Sequence, residues 1–214
     1  MDYLIYILAI CISAPLLLMM IIADNKTRNL LGFMIIGIYL AVFATEVNAI
    51  LRELFSGSLD LFHLTTSATP VCEEILKALP IIFVVFFVTD KRSVLFVQAM
   101  SIGIGFAIME NTFILLQNIE QVSLFWAMIR GFASSLMHSL CTLFVGIGIS
   151  IVRKRRKLFF TGTTALLITT SIYHSLFNML IQSRYMYIGA ILPILTYIPL
   201  AIVLHKNKWN KVPK

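Results

Sequence analysis

The chain is built from apolar blocks that are each long enough to cross a bilayer. The run from Tyr3 to Ala23 contains no charged residue at all. A helix needs about 20 mostly apolar residues to span the hydrocarbon. Inside lipid each backbone N–H and C=O must pair within its own segment, so repeated runs of this kind specify helices. Of the 214 residues 59% are hydrophobic and 13% charged, against roughly a quarter charged in soluble domains. The predicted fold is all-α, a polytopic helix bundle with about seven transmembrane helices. The spans fall at residues 3–23, 30–51, 70–89, 94–117, 124–152, 158–182 and 187–205. No soluble domain is expected, and residues 1–214 read as one transmembrane domain. Asp2, with no Lys or Arg before the first run, makes a poor secretory leader, so that span is expected to be retained.

The basic residues sort by loop. Lys26, Arg28, Lys91, Arg92, the Arg153–Lys157 run, Lys206, Lys208, Lys211 and Lys214 fall on one side of the seven spans. Only Arg52 and Arg184 fall on the other. The positive-inside rule then places the N-terminus outside and the C-terminus in the cytoplasm. The net charge of +7 is a topology signal on this reading, and no nucleic-acid partner is expected. Cys11, Cys72 and Cys141 lie in or beside apolar segments without CxxC spacing, which argues against a disulfide framework or a cysteine zinc site. Residues Leu59 to Leu64, in the longest non-apolar stretch, are expected to form a short helix at the outer surface.

Ionisable residues inside hydrocarbon are costly and mark function by default. Here they are Glu46, Glu73, Glu74, Lys77, Glu110, Arg130, His138 and His174, with Asn111 and Asn178 adding amides. Glu73 and Glu74 lie near the outer end of the third span, and His138 near the middle of the fifth. Glu110 is seven residues from the outer end of the fourth span and His174 eight from that of the sixth. Four segments thus bring ionisable groups to similar depth, which predicts one shared site in the outer half of the membrane. On helical spacing, Glu73 and Glu74 share faces with Lys77, and His174 with Asn178. Arg130, Ser134, His138 and Thr142 form a polar stripe, and Ala99, Gly103, Phe106 and Glu110 a face that admits a close neighbour. Glu46 and Asn48 sit near an outer boundary, where a solvated role is expected, and His63 and His205 are read as chemically silent loop residues.

Carboxylates and histidines gathered in this way can activate water by general base catalysis, with His and Asn steadying an oxyanion. They can equally hold a divalent zinc ion with an open water position. Both schemes hydrolyse an amide. A serine nucleophile is less supported, because Ser134, Ser135 and Ser139 near His138 lack a Gly-x-Ser-x-Gly turn. An ion or proton transporter or channel could use the same buried charges, although no inverted repeat is visible.

Four pieces occur in order on separate helices: Glu-Glu-Ile-Leu-Lys (73–77), Gly-Phe-Ala-Ile-Met-Glu-Asn (105–111), Arg130 eight residues before His138, and His-Ser-Leu-Phe-Asn (174–178). In these pieces the chain resembles the PrsW family of intramembrane proteases, within the superfamily of type II CAAX prenyl endopeptidases. The resemblance covers about residues 70–180. It implies a catalytic set of Glu73, Glu74, Glu110, His138, His174 and Asn178, supported by Lys77, Asn111 and Arg130. Glu73 or Glu74 is the implied water-activating base, and His174 with Asn178 the implied oxyanion pair. Glu110, on Phe106-x-x-x-Glu110, stands where CAAX endopeptidases carry a histidine, a gap His138 can fill. A Zn²⁺ ion would take Glu110, His138 and His174 as ligands; a metal-free glutamate mechanism is the alternative. The implied substrate is a membrane-anchored protein, such as an anti-sigma factor, cut on the extracytoplasmic side of a bacterial or archaeal cell membrane. Prenyl-protein processing is a further alternative.

Overall fold

A computed structural model describes residues 3–55, 57–58, 60–153 and 155–206. Ser56, Leu59, Lys154, Lys208, Lys211 and Lys214, which bear on the loop assignments above, lie outside the described residues. Every described element is helical: α1 (Leu4–Ile22), α2 (Asn25–Phe55), α3 (Leu61–His63), α4 (Thr69–Phe87), α5 (Arg92–Gln117), α6 (Leu124–Ile129), α7 (Ser135–Val152), α8 (Arg156–Ile181) and α9 (Met186–Lys206). The short helix expected near residues 59–64 is α3, with the Asp60 side chain accepting from the His63 backbone N–H. A wide π-helical turn, Leu64–Ala68, carries α3 into α4, whose start is set by Pro70. The fifth predicted span is not one continuous α-helix. A second π-turn, Arg130–Ser134, separates α6 from α7, and such turns favour functional sites.

Among the described residues, five helical stretches are long and apolar enough to cross a membrane: Leu4–Ile22, Asn25–Phe55, Arg92–Gln117, Leu124–Val152 and Lys157–Ile181. Two predicted spans differ from these for separate reasons. The 19-residue α4 holds Glu73, Glu74 and Lys77, all of them buried. In α9 the described apolar stretch, Met186–Ile202, is shorter than the other five.

Missing side chains let the central helices approach. A Cβ on Gly103 of α5 would lie 2.6 Å from the Cα of Ser139 and 2.7 Å from the carbonyl of His138, so α7 packs there backbone to backbone. Gly37 of α2 and Gly105 of α5 abut each other's helices in the same way. The small-residue face predicted on the fourth span is therefore an interface. One apolar core joins Ala78, Ile81, Val84 and Val85 of α4 to Leu95, Ala99 and Ile102 of α5 and Val145 and Ile149 of α7. Another sets Ala41 and Ala44 of α2 against Leu76 of α4 and Phe106 of α5. Together they fix α2, α5 and α7 against α4, the first core along its C-terminal half and the second beside its N-terminal half.

Candidate active site

That half of α4 carries the acidic pair, and its helical spacing divides the work. Lys77, one turn on, donates a hydrogen bond to Glu74 Oε1 at 2.6 Å. The same oxygen lies 2.9 Å from His174 Nδ1 on α8. All three side chains are buried. Of the two glutamates that share a helix face with Lys77, Glu74 forms the ion pair.

Lys77 Nζ also lies 3.1 Å from His138 Nδ1 on α7. An ammonium can only donate, so this nitrogen accepts and the ring proton sits on Nε2. His138 Nε2 then donates to Glu110 Oε2 at 2.6 Å. The other oxygen of Glu110 accepts from Arg130 Nη2 at 3.0 Å. Arg130 thus pairs with a carboxylate. Arg130 also lies over the Trp126 ring, and Lys77 over Phe106. One hydrogen-bonded chain therefore runs His174–Glu74–Lys77–His138–Glu110–Arg130 across four helices and the π-turn. Within it Lys77 offsets Glu74 and Arg130 offsets Glu110.

Glu73 stands apart from this chain. Its Oε1 accepts from Asn48 Nδ2 on α2 at 3.3 Å. Its Oε2 is buried without a hydrogen-bond partner, as is Nε2 of His174. These two atoms are 3.7 Å apart. Because Glu74 draws the Nδ1 proton of His174, the neutral ring presents a lone pair at Nε2. A carboxylate oxygen and an imidazole lone pair therefore face each other, two acceptors with no donor between them. Such a pair calls for a shared proton, a cation or the hydrogens of a water molecule.

The same geometry gathers a donor set for a metal. Glu73, His138 and His174 each offer a ligand atom within 4.8 Å of the others. Two imidazoles and one carboxylate match the three protein ligands of catalytic zinc sites. The Glu74 contact to His174 Nδ1 is the carboxylate support that orients metal-binding histidines. The residues fit. The group differs from the sequence-based set of Glu110, His138 and His174 in one member: Glu73 faces His174, while Glu110 is held by His138 and Arg130.

The remaining residues fall as follows. Asn178 donates through Nδ2 to the Thr65 carbonyl at 3.2 Å, tying α8 to the first π-turn. Asn111 donates to the Arg130 carbonyl at 3.4 Å. His63 is exposed and pairs with Asp60 at 2.8 Å; hydrogen bonds from His63 hold the Asp60 carboxyl below the usual carboxylate range. The side chain of His205 lies outside the described residues. Glu46 accepts from Tyr6 Oη at 2.8 Å on an exposed face. Asn48 departs from expectation, being 8% exposed rather than solvated. Sequence reasoning placed it by distance from the span's end, but α2 runs on to Phe55, a full turn beyond the predicted boundary, which leaves Asn48 inside the bundle. A polar residue on a face otherwise lined by Ala41 and Ala44 was the signal available.

A family model described as PrsW family intramembrane metalloprotease matches residues 25–204. No curated protein and no solved structure matches the chain. The matched region contains all four helices that meet at Glu73 and His174, and the chain belongs to the PrsW family of intramembrane metalloproteases, which makes it a peptidase that works within the membrane.

Proposed function

We propose that the reaction centre lies between Glu73 Oε2 and His174 Nε2, and that it hydrolyses a peptide bond of a membrane-anchored protein near the extracytoplasmic face. The carrying observation is the facing of these two buried acceptors at 3.7 Å, each without a hydrogen-bond partner. Every other charged group of the cluster is already paired. Glu74 and Glu110 have Lys77 and Arg130, whereas the polar neighbours of Glu73 among the described residues are Asn48 and His174. A buried carboxylate without a matching cation favours a divalent ion.

Glu73, His138 and His174 would hold that ion, and zinc is the ion we assign. When bound it supplies Lewis acidity and brings the ionisation of water near neutral pH. The chain's own residues do the rest. Glu74 fixes the tautomer of His174, and Lys77 offsets the charge of Glu74. Arg130 and His138 hold Glu110 ionised beside the centre. Glu73 serves one part at a time: as a ligand it would help hold the ion, and without the ion its Oε2 is placed to take a proton from water and pass it to the departing amine.

A second reading rests on His138, both of whose ring nitrogens are already engaged, by Lys77 and by Glu110. Without an ion, water would donate to Glu73 and His174 directly and Glu73 would be the general base. Elemental analysis of purified protein, with chelator treatment and re-addition of zinc, separates the two. About one zinc per chain, with activity lost on chelation and regained on re-addition, is expected. Full activity at negligible metal content would leave the glutamate-base reading in its place.

The outer depth of the centre rests on the basic loops, with Arg153 to Lys157 in the cytoplasm and seven spans in a single transmembrane domain. Among membrane-anchored substrates, an anti-sigma factor is the class the resemblance favours. A cysteine placed at residue 58 should react with an impermeant thiol reagent on intact cells, and one at 155 should not; the reverse pattern would turn the site to the cytoplasm.

A further inference from the structure

We propose that Asn48 is a positioning residue of the reaction centre: its side-chain amide fixes the rotation of the Glu73 carboxylate so that Oε2 is aimed at His174. This rests on the reading above that Glu73 Oε2 serves the reacting water, and it holds with or without a metal ion.

Four observations carry it. Asn48 Nδ2 donates to Glu73 Oε1 at 3.3 Å, and both side chains are buried. A carboxylate anchored through one oxygen has its second oxygen fixed in direction, and that second oxygen lies 3.7 Å from His174 Nε2. The anchor comes from α2, a helix that carries none of the paired charges of the cluster. Its depth is set by backbone-to-backbone packing at Gly37 and Gly105 and by the Ala41, Ala44 and Leu76 contacts with α4.

The residue type fits the task. A neutral amide donates to a carboxylate without adding charge, so it orients Glu73 and leaves the carboxylate's charge uncompensated. Lys or Arg at the same place would neutralise Glu73 as Lys77 neutralises Glu74. The orientation of the amide follows as well, since the opposite flip would set Oδ1 against a carboxylate oxygen. Asn48 Oδ1 is itself buried without a hydrogen-bond partner, a cost a purely structural contact does not require.

The bland alternative is an interhelical hydrogen bond that merely joins α2 to α4. The test separates the two with wild-type protein, Asn48→Leu, Asn48→Gln and Glu73→Gln in proteoliposomes. The probe is a quenched-fluorescent transmembrane peptide selected from a library for cleavage by the wild type. Loss of a group that supports a reacting carboxylate costs about 10- to 100-fold in activity. Asn48→Leu should lower kcat by that factor with KM within about twofold. Asn48→Gln, which keeps a donor, should recover at least part of the loss. The infrared carboxylate stretch of Glu73, isolated by subtracting the Glu73→Gln spectrum, should shift in Asn48→Leu. Unchanged kcat in Asn48→Leu overturns the proposal. A fall in kcat with an unmoved Glu73 band overturns it too, because the loss then came through helix packing. Should Asn48→Leu not accumulate as folded protein, Asn48→Ala carries the same test. Wild-type cleavage by Glu73→Gln would instead sink the reading of Glu73 itself, whatever Asn48 does.

Discussion

The two halves of α4 meet their neighbouring helices by different physics. Beyond Lys77 the helix presents Ala78, Ile81, Val84 and Val85 to apolar side chains of α5 and α7. Before it, Glu73, Glu74 and Lys77 meet Asn48, His138 and His174. The apolar half needs only shape and volume, and in a bilayer it gains little from burial as such, because lipid tails are as apolar as the core. The polar half needs a named partner for each charge, since one uncompensated ion in a low dielectric costs more than a cavity does. The first half can therefore drift in sequence while the second cannot, and the difference can be measured.

Cutting the polar half at its reacting end should have the largest effect. His174→Ala and His138→Ala should each lower cleavage by about 10³-fold, within the span typical of lost acid–base or ligand groups, with the helical circular dichroism of the folded protein retained. Retained cleavage in both would dissolve the contrast between the halves. Lys77→Met strands the Glu74 carboxylate, which is 1% exposed, and should cost about 3–5 kcal/mol of stability. The double variant Glu74→Gln/Lys77→Met removes both charges and should recover most of that loss in a thermal or denaturant melt, though not the activity. If it recovered nothing, the pairing of Glu74 with Lys77 would not be what holds this end together.

In the apolar half the effects shrink. Ile81→Val, at a site 2% exposed, should cost about 1 kcal/mol by leaving a methyl-sized gap and should leave cleavage within about twofold of wild type. A large loss of activity there would show that shape at the far end is read at the centre. Least of all, His63→Ala should be silent within about 0.5 kcal/mol, because its ring is exposed and its partner Asp60 keeps the backbone cap.

Much of this architecture was legible in the sequence, and the parts that were not have physical reasons. Apolar length marks helices directly, and it placed α1, α5, α8 and α9 within a few residues. Charge in an apolar segment marks function; of the residues it selected, Glu73, Glu74, Lys77, Glu110, Arg130, His138 and His174 come into one contact network, whereas Glu46 meets Tyr6 on an exposed face. The pairing within that set was not legible. Adjacent glutamates on a helix differ by about 100° in direction, and only the positions of α2, α7 and α8 show that Glu74 meets Lys77 and His174 while Glu73 meets Asn48. The π-turn at Arg130–Ser134 was missed because a one-residue widening leaves hydrophobic periodicity almost unchanged. Asn48 was misplaced because hydropathy ended the second span at residue 51, whereas α2 continues to Phe55.

The central claim is that the two neighbouring glutamates have different work, Glu73 at the reacting water and Glu74 behind His174. Cleavage of one transmembrane peptide by folded Glu73→Gln and folded Glu74→Gln, measured side by side against wild type, tests it most directly. Gln at 74 still offers an oxygen to Lys77 and to His174, so that variant should keep a measurable fraction of the activity. Gln at 73 cannot take the proton, and that variant should show no cleavage above background. Wild-type-like cleavage by Glu73→Gln, or an inert Glu74→Gln beside an active Glu73→Gln, would contradict the account.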